Sequence, residues 1–504
     1  MIQTPKQIQE AEKRAFASGA SAEQLMEQVG QKMFEAATQF LPTPGTCIVA
    51  FGKGHNGGDA LVCARFLSEA GWHVILTPAF SAELWAPLTR LKWNAAGRCQ
   101  TIDESAKLER IIQRRKEPLL LLDGLLGIGA SGPLREPILG WCRTLNRWRS
   151  TLGGRIAALD VPSGLDAATG ASEPDAIRAD WTLTVGFAKP GLLTDGSEVH
   201  VGRLAVMPLP ELEKHAGPSH SNSPAIHCAQ LLSPLIPRRT AEVHKGECGR
   251  IALLAGNIGT VGAACLSAKG ALRSGAGLVT LYVPETVFPL AATRAPEECM
   301  VLPYPGVGHL IDCGFDAIGV GPGLGKDPWV LDSVEEILRS YPGPAVLDAD
   351  ALNVLGPNSL ALRQTRGRCL LTPHPGEMKR LFPESSRLTR FETVSSFTKK
   401  YPVTLLLKGS RTLLGESGSV RTVNTTGNPG MASGGMGDVL TGVCTSLLGQ
   451  GLGPLDAGSV ASWACGRSAE LLISSGLRNE ESLLASDVAE TLGSAMEGLR
   501  RGDY

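Results

Sequence analysis

Aromatic residues are scarce, at 5% of the chain, which leaves too few rings for a base-stacking platform of the single-stranded nucleic acid kind. No excess of either charge exists: 48 Lys and Arg stand against 49 Asp and Glu, a formal net charge of −1. There is thus neither the basic field that draws nucleic acid nor an acidic tail. The twelve cysteines include no C-x-x-C pair and stand singly, often in apolar runs such as TCIVAFG at 46–52. That scatter excludes a zinc framework or a disulfide lattice and reads as buried, reduced thiols. No uninterrupted apolar run reaches the roughly 18 residues of a membrane span. The first residues, MIQTPKQIQEAEKRAFASGASAEQLM, lack the apolar stretch and small-residue cleavage site of a secretory signal. No membrane and no nucleic acid partner is expected, and the expected location is the cytoplasm.

What the chain has in quantity is glycine, 60 of 504 residues, the residue of tight turns and of loops where a backbone approaches a ligand. With 43% hydrophobic and 19% charged residues it reads as globular. At about 150 residues per domain, the length implies two to four domains.

The first clear helix is expected near Ser21, where Ser21 and Gln24 fit a capping box and Leu25, Val29 and Met33 recur at helical spacing. Short, nearly continuous apolar runs then alternate with helical patterns: TCIVAFG, WHVILTPA, LLLLDG (119–124), GRIAALDVPSG (154–164) and DWTLTVGF (180–187). Strands buried on both faces of a parallel sheet look like this, and their alternation with helices predicts a doubly wound α/β domain. The pattern breaks between about 213 and 240, where EKHAGPSHSNSPAIH and LLSPLIPRR read as a linker and the opening of a second domain. A second alternating series follows, from GRIALLAGN (249–257) to VTLLLKGS (403–410), then a hairpin turning at Glu416–Gly418 and a glycine-rich loop before a helix.

Three polar clusters sit at strand ends in the first half. FGKGHNGGDA (51–60) joins a strand to a helix, where glycine amides can converge on an anion or simply form a tight turn. LLDGLLGIGASGPLREP places Asp123 at a strand end, and LDVPSGLDAATG does the same for Asp160. Either aspartate alone is equally a cap or a loop anchor, but open α/β sheets bind ligands at this edge, and three clusters together describe a site.

The motifs N-G-G-D, L-L-D-x-L-L-G-x-G-x-x-G-P-L and D-x-P-S-G, in this order, resemble the NAD(P)H-hydrate epimerase family over essentially all of residues 1–213. The resemblance implies a potassium ion held by Asn56, Asp123 and Ser163. It implies hydrated NADH or NADPH held by Asn56, Gly57, Gly58, Asp59 and Ala60, by Gly127, Ile128, Gly129, Ala130, Ser131, Gly132 and Pro133, and by Asp160. Ala60 stands where the family often has glycine. Hard oxygen ligands suit an alkali ion. Asp123 is the candidate acid/base for inverting the carbon that carries the hydroxyl, and a carboxylate beside a cation favours the base role.

In the second half, GNPGMASGGMGDVLTG (427–442) combines bare amides at Gly434–Gly437 with a helix start and Asp438, which can take a proton from an attacking hydroxyl. G-G-x-G-D resembles the anion hole of ribokinase-like enzymes. HKGECGR, GPGLG, LDADAL, TPHPGE and KGSRT narrow the resemblance, over roughly 225–504, to the ADP- or ATP-dependent NAD(P)H-hydrate dehydratases. Cys248 stands where an aromatic is common. The resemblance implies adenine nucleotide, with magnesium, at Lys408, Gly409, Ser410, Arg411, Thr412 and Gly437, and hydrated substrate at Ala263, Gly325, His374 and Asp438. Asp348 and Asp350 serve metal, substrate or a helix cap.

The expected architecture is α/β throughout: a Rossmann-like doubly wound domain (1–213), a linker (214–240) and a ribokinase-like domain (225–504). The expected activity is epimerisation of hydrated NAD(P)H followed by nucleotide-dependent dehydration, with ADP favoured over ATP, in a homo-oligomer. Two rivals remain at this point: a ribokinase-like small-molecule kinase with a non-catalytic cofactor-binding N-terminal domain, and a binding module with one silent domain.

Overall fold

The computed structural model describes residues 1–97, 99–130, 132–217, 223–365 and 367–504. Ser131, an expected substrate contact, lies outside the described residues, as do 218–222 of the expected linker. The chain divides into two compact units, Met1–Ile226 with Tyr504, and His227–Asp503.

In the first unit the apolar runs form β1 (Thr46–Phe51), β2 (His73–Pro78), β3 (Gln100–Thr101), β4 (Leu119–Gly124), β5 (Arg155–Leu159), β6 (Trp181–Val185) and β7 (Arg203–Met207). They pair in parallel in the order β3-β2-β1-β4-β5-β6-β7. Period-two geometry explains why the runs are continuously apolar. Cys47, Val49 and Phe51 of β1 enter one core, with Ala60, Leu61 and Ala64 of the helix His55–Glu69. Ile48 and Ala50 enter the other core, with Cys142, Leu145 and Trp148 of the helix Ile138–Leu152. Strand order reverses between β1 and β4, the place along the C-terminal edge where open α/β sheets bind ligands.

A helix at Pro5–Ala17 precedes the first one expected. Its signal was in the sequence: Thr4 and Gln7 make a complete capping box, whereas Ser21 Oγ only accepts from the Gln24 amide, at 3.4 Å.

The second sheet comprises β9 (Arg250–Leu254), β10 (Leu278–Val283), β11 (Cys299–Pro303), β12 (Ala317–Val320), β13 (Ala345–Leu347), β14 (Cys369–Leu371), β15 (Thr404–Leu407), β16 (Thr412–Glu416) and β17 (Ser419–Asn424), with the short β8 (Ala225–Ile226) at its edge. The order is β11-β10-β9-β12-β13-β14-β15-β16-β17-β8, parallel up to β15 and antiparallel through the β16–β17 hairpin. Here the order reverses between β9 and β12. Helices Val261–Arg273 and Met436–Gly449 meet backbone to backbone: a Cβ on Gly442 would lie 1.9 Å from Ser267 O, and one on Gly270 2.5 Å from Val439 O. Ala229, Leu232 and Ile236, from the stretch read as linker, are buried in this unit's core. All twelve cysteines are free, seven buried and five part-exposed. No described helix is long and apolar enough to cross a membrane.

Candidate active sites

In the first unit the turn after β1 is forced tight by glycine. A Cβ on Gly52 would sit 1.9 Å from Leu125 O, and one on Gly57 2.2 Å from Gly52 O. This close approach brings Asn56 under the loop after β4. Its Nδ2 donates to Leu126 O (2.7 Å) and Leu159 O (3.2 Å), which fixes the amide orientation. Asn56 Oδ1 is then buried with no hydrogen-bond partner. A buried carbonyl oxygen left this way calls for a hydrogen-bond donor or a cation.

Asp123, at the end of β4, is fully buried. Its Oδ2 accepts from the Ser163 amide (2.8 Å), and its Oδ1 from Ser163 Oγ (2.7 Å) and the Leu125 amide (3.3 Å). Ser163 Oγ in turn accepts from the Leu126 amide at 3.1 Å. All these donors are neutral. Burial pushes the Asp123 carboxyl up to about 6, against the pull of the Ser163 and Leu125 hydrogen bonds. An orphaned amide oxygen, a buried carboxylate with only neutral donors and a serine form a hard-oxygen set that fits a monovalent cation.

Asp160 follows β5 with a left-handed backbone, φ 68°, a conformation that non-glycine residues adopt mainly under tertiary constraint. Its carboxylate accepts from Lys189 Nζ and, at 3.0 Å, from Thr184 Oγ1. Burial, with the Asp160 charge second, raises both Glu12 and Asp59 above the usual carboxylate range, Asp59 strongly. Ala60 is buried, and a Cβ on Gly124 would fall 2.5 Å from its methyl, so the alanine fills space that a glycine at 60 would leave to residue 124.

Gly127 packs over Asn56, its would-be Cβ 3.2 Å from Asn56 Cβ. Gly127, Gly129, Ala130, Gly132 and Pro133 line a cavity of about 750 Å³, with Phe80 and Arg135, a size ordinary for a small-molecule site. Gly58 is buried against Met26.

In the second unit the loops after β9 and β12 are stitched together. Asn257 Nδ2 donates to Leu324 O (2.9 Å), and a Cβ on Gly323 would meet Ala263 Cβ at 3.1 Å. The Gly325 amide donates to Asp350 Oδ2 at 2.8 Å. Asp348 begins a helix, yet its carboxylate caps nothing: Oδ1 accepts from Lys408 Nζ (2.8 Å) and Oδ2 from Thr441 Oγ1 (2.7 Å). Lys408 also lies 3.9 Å from Glu377 Oε2.

Gly437 abuts this pair, its would-be Cβ 3.2 Å from Lys408 Nζ. Asp438, one residue on, has its carboxyl raised to about 6 by burial and by Asp348, with Lys408 pulling it back. Gly435, at φ 92°, makes the left-handed turn that starts the helix and presents its amides. His374 Nδ1 accepts from the amides of Gly376 (3.0 Å) and Glu377 (3.3 Å), capping the helix Pro375–Leu381; its side chain is half exposed, with Nε2 3.4 Å from Glu377 Oε1. Gly409 faces the Arg390 guanidinium, which donates to Arg411 O at 2.5 Å. Gly409 and Ser410 are exposed, and Thr412 Oγ1 donates to Gly409 O at 3.4 Å. The Arg411 side chain turns inward, 4% exposed.

Asn56, Asp123 and Ser163 thus meet, as do Lys408, Gly437 and Asp438. Glu377 and Thr441, both inside or beside quoted motifs, were missed, as were Thr184 and Lys189 of DWTLTVGFAKPG. The lysine in an otherwise apolar stretch was the available signal.

Two parallel α/β units, each gathering buried acids and glycine-framed loops where strand order reverses, define a two-centre enzyme of the nucleotide-handling class. Residues 22–191 match the family described as YjeF-related protein N-terminus, and 251–492 the family NAD(P)H-hydrate dehydratase. The chain belongs to the bifunctional NAD(P)H-hydrate repair enzymes. It is 33% identical to that of Moorella thermoacetica, covering 94% of this chain and 92% of the relative. It is also 33% identical to that of Coxiella burnetii, covering 96% of each. The ADP/ATP-dependent NAD(P)H-hydrate dehydratase from Bacillus subtilis, co-crystallised with ATP/Mg2+, is 29% identical and matches 56% of this chain and all of that one, with a TM-score of 0.48.

Proposed function

We propose that the first unit interconverts the R and S forms of hydrated NADH and NADPH, and that the second dehydrates the S form at the expense of ADP or ATP. For the first unit the carrying observation is the orphaned Asn56 Oδ1 on a side chain tied to the carbonyl of Leu126, the residue whose amide also binds the Ser163 hydroxyl on buried Asp123. Asn56, Asp123 and Ser163 would hold potassium, which supplies a fixed positive charge next to the substrate hydroxyl. The loops Asn56–Ala60 and Gly127–Pro133 and the Asp160 carboxylate hold the hydrated cofactor, extending into the adjoining cavity. Asp123 is the acid/base. Its proton path to substrate runs through the Ser163 hydroxyl, 2.7 Å away and, like Asp123, buried.

In the second unit Asp438 takes the proton of the substrate hydroxyl as that oxygen accepts a phosphoryl group, and the amides at Gly434–Gly437 stabilise the transferring charge. The ring nitrogen then expels phosphate, and loss of the neighbouring carbon's proton restores the dihydropyridine. Ala263, Gly325 and His374 frame the substrate. Lys408, Gly409, Ser410, Arg411, Thr412 and Gly437 hold the nucleotide, Arg411 through its main chain. Magnesium comes with the nucleotide phosphates: among the described residues no group of three or more His, Cys, Asp or Glu could hold a metal. Twelve free thiols suit a reducing cytoplasm. The homo-oligomer implied by the resemblance is checked by light scattering.

The test is to give purified protein both epimers of hydrated NADH, with magnesium and with or without ADP or ATP, and to follow dihydronicotinamide absorbance. Nucleotide-dependent recovery of nearly all the mixture is expected. Recovery that stops at one epimer's share would refute the epimerase, and none with either nucleotide would refute the dehydratase.

A further inference from the structure

Epimerisation by ring opening, the route that inverts the carbon without expelling hydroxide, moves two protons. Breaking the bond between the hydroxyl-bearing carbon and the ring nitrogen turns the hydroxyl into a carbonyl and releases its proton, while the nitrogen keeps the bonding pair and takes a proton. Asp123, through Ser163, accounts for the first transfer only.

The second has a candidate on the next strand. Lys189 is buried, 1% exposed, yet its ammonium touches the Asp160 carboxylate and, at 2.5 Å, Thr184 Oγ1. The chain that follows it packs closely: a Cβ on Gly191, two residues on, would lie 2.3 Å from Asp166 O and 2.6 Å from the Gly170 amide. The Asp160 side chain, by contrast, is 20% exposed and stands on a strained backbone that aims it. A buried ammonium thus ends in a carboxylate that reaches open space.

We propose that Lys189 and Asp160 form the proton-donating arm of the epimerase centre, Lys189 acting through Asp160 on the ring nitrogen. As the ring opens, the hydroxyl proton goes to Asp123, Lys189 gives a proton to the Asp160 carboxylate, and Asp160 passes that proton to the nitrogen. Rotation about the adjacent carbon–carbon bond and reversal of the same steps return both protons and close the ring with the hydroxyl on the other face. No oxidant, reductant or further reactant enters. This rests on the epimerase reading of the first unit.

The test uses the full chain and one purified epimer of hydrated NADH without nucleotide, so that the dehydratase is idle, and separates the epimers by chromatography over time. Lys189→Met should lower kcat by about 100-fold with KM within about 3-fold, and Asp160→Asn should lower kcat by a similar factor while also raising KM, since its carboxylate touches the substrate. Lys189→Arg should keep KM but not restore kcat, because a guanidinium holds its proton. Wild-type kcat in Lys189→Arg would reduce the lysine to an ion-pair brace and overturn the relay, as would unchanged kcat in Lys189→Met. Thr184→Val, a smaller perturbation, should lower kcat at an unchanged melting temperature. If the lysine variants do not fold, an unchanged kcat in Thr184→Val overturns the proposal. A wild-type chain that leaves the epimers unconverted refutes the epimerase reading itself, which is a different result.

Discussion

Lys408 Nζ lies 2.8 Å from Asp348 Oδ1, and this pair governs the charge felt by Asp438. Burial and Asp348 push the Asp438 carboxyl up to about 6 while Lys408 draws it down. A general base acts only when deprotonated, so dehydration should be fast above about 6 and fall as pH drops through that value. Asp348→Asn removes a negative neighbour and should shift the acidic limb to lower pH, whereas Lys408→Met should shift it higher. The pH dependence of kcat/KM, which reports groups of the free enzyme, checks this, and a limb that neither variant moves belongs to another group.

Asp438→Asn should cost the dehydratase roughly 10²–10⁴-fold in kcat, the usual range for losing a positioned base. Epimerisation measured on the same sample should be unaltered. A variant that still dehydrates at more than a tenth of the wild-type rate would remove Asp438 from the base role.

Potassium should stabilise the first unit, since a ligand of the folded state alone raises stability by mass action. The sign with pH follows from Asp123. Its folded-state carboxyl is raised to about 6 from an ordinary value near 4. Without a cation, the folded state therefore loses stability as pH rises from about 4 through about 6. A cation offsets that loss only where Asp123 is ionised. Melting in potassium chloride against tetramethylammonium chloride should differ more at pH ~8 than at pH ~5, and Asn56→Leu should erase the difference. Identical melting curves at the higher pH would argue against the cation.

Gly442→Ala should destabilise the second unit by about 1–3 kcal/mol, the range for overpacking a tight core. The added Cβ would meet Ser267 O at 1.9 Å, and backbone cannot turn aside as a side chain can. Denaturant titration reads the shift. An unchanged midpoint would mean that the two helices slide apart freely.

Much of the fold was legible because parallel strands covered on both faces must be apolar at every position. β1 and β4 are buried from end to end and read as unbroken runs. The short helix Pro5–Ala17 was overlooked although its capping box is written in T-P-K-Q, since its apolar face is only Ile8, Ala11 and Ala15. Asp348 was legible as a strand-end acid but not as the partner of Lys408 and Thr441, which lie 60 and 93 residues away.

By itself the sequence determined where strands end, and so which residues reach the C-terminal edge of each sheet, because periodicity and glycine placement are local properties. It also carried Asn56, Asp123, Ser163 and Asp438 in recognisable motifs. Strand order was decided only by the tertiary structure. Placing β4 beside β1 and β5 beside β4 brings Ser163 onto Asp123, and β6 beside β5 brings Thr184 and Lys189 onto Asp160. Such contacts join residues far apart in the chain, and no local pattern encodes them. They follow from which apolar faces the whole unit buries together.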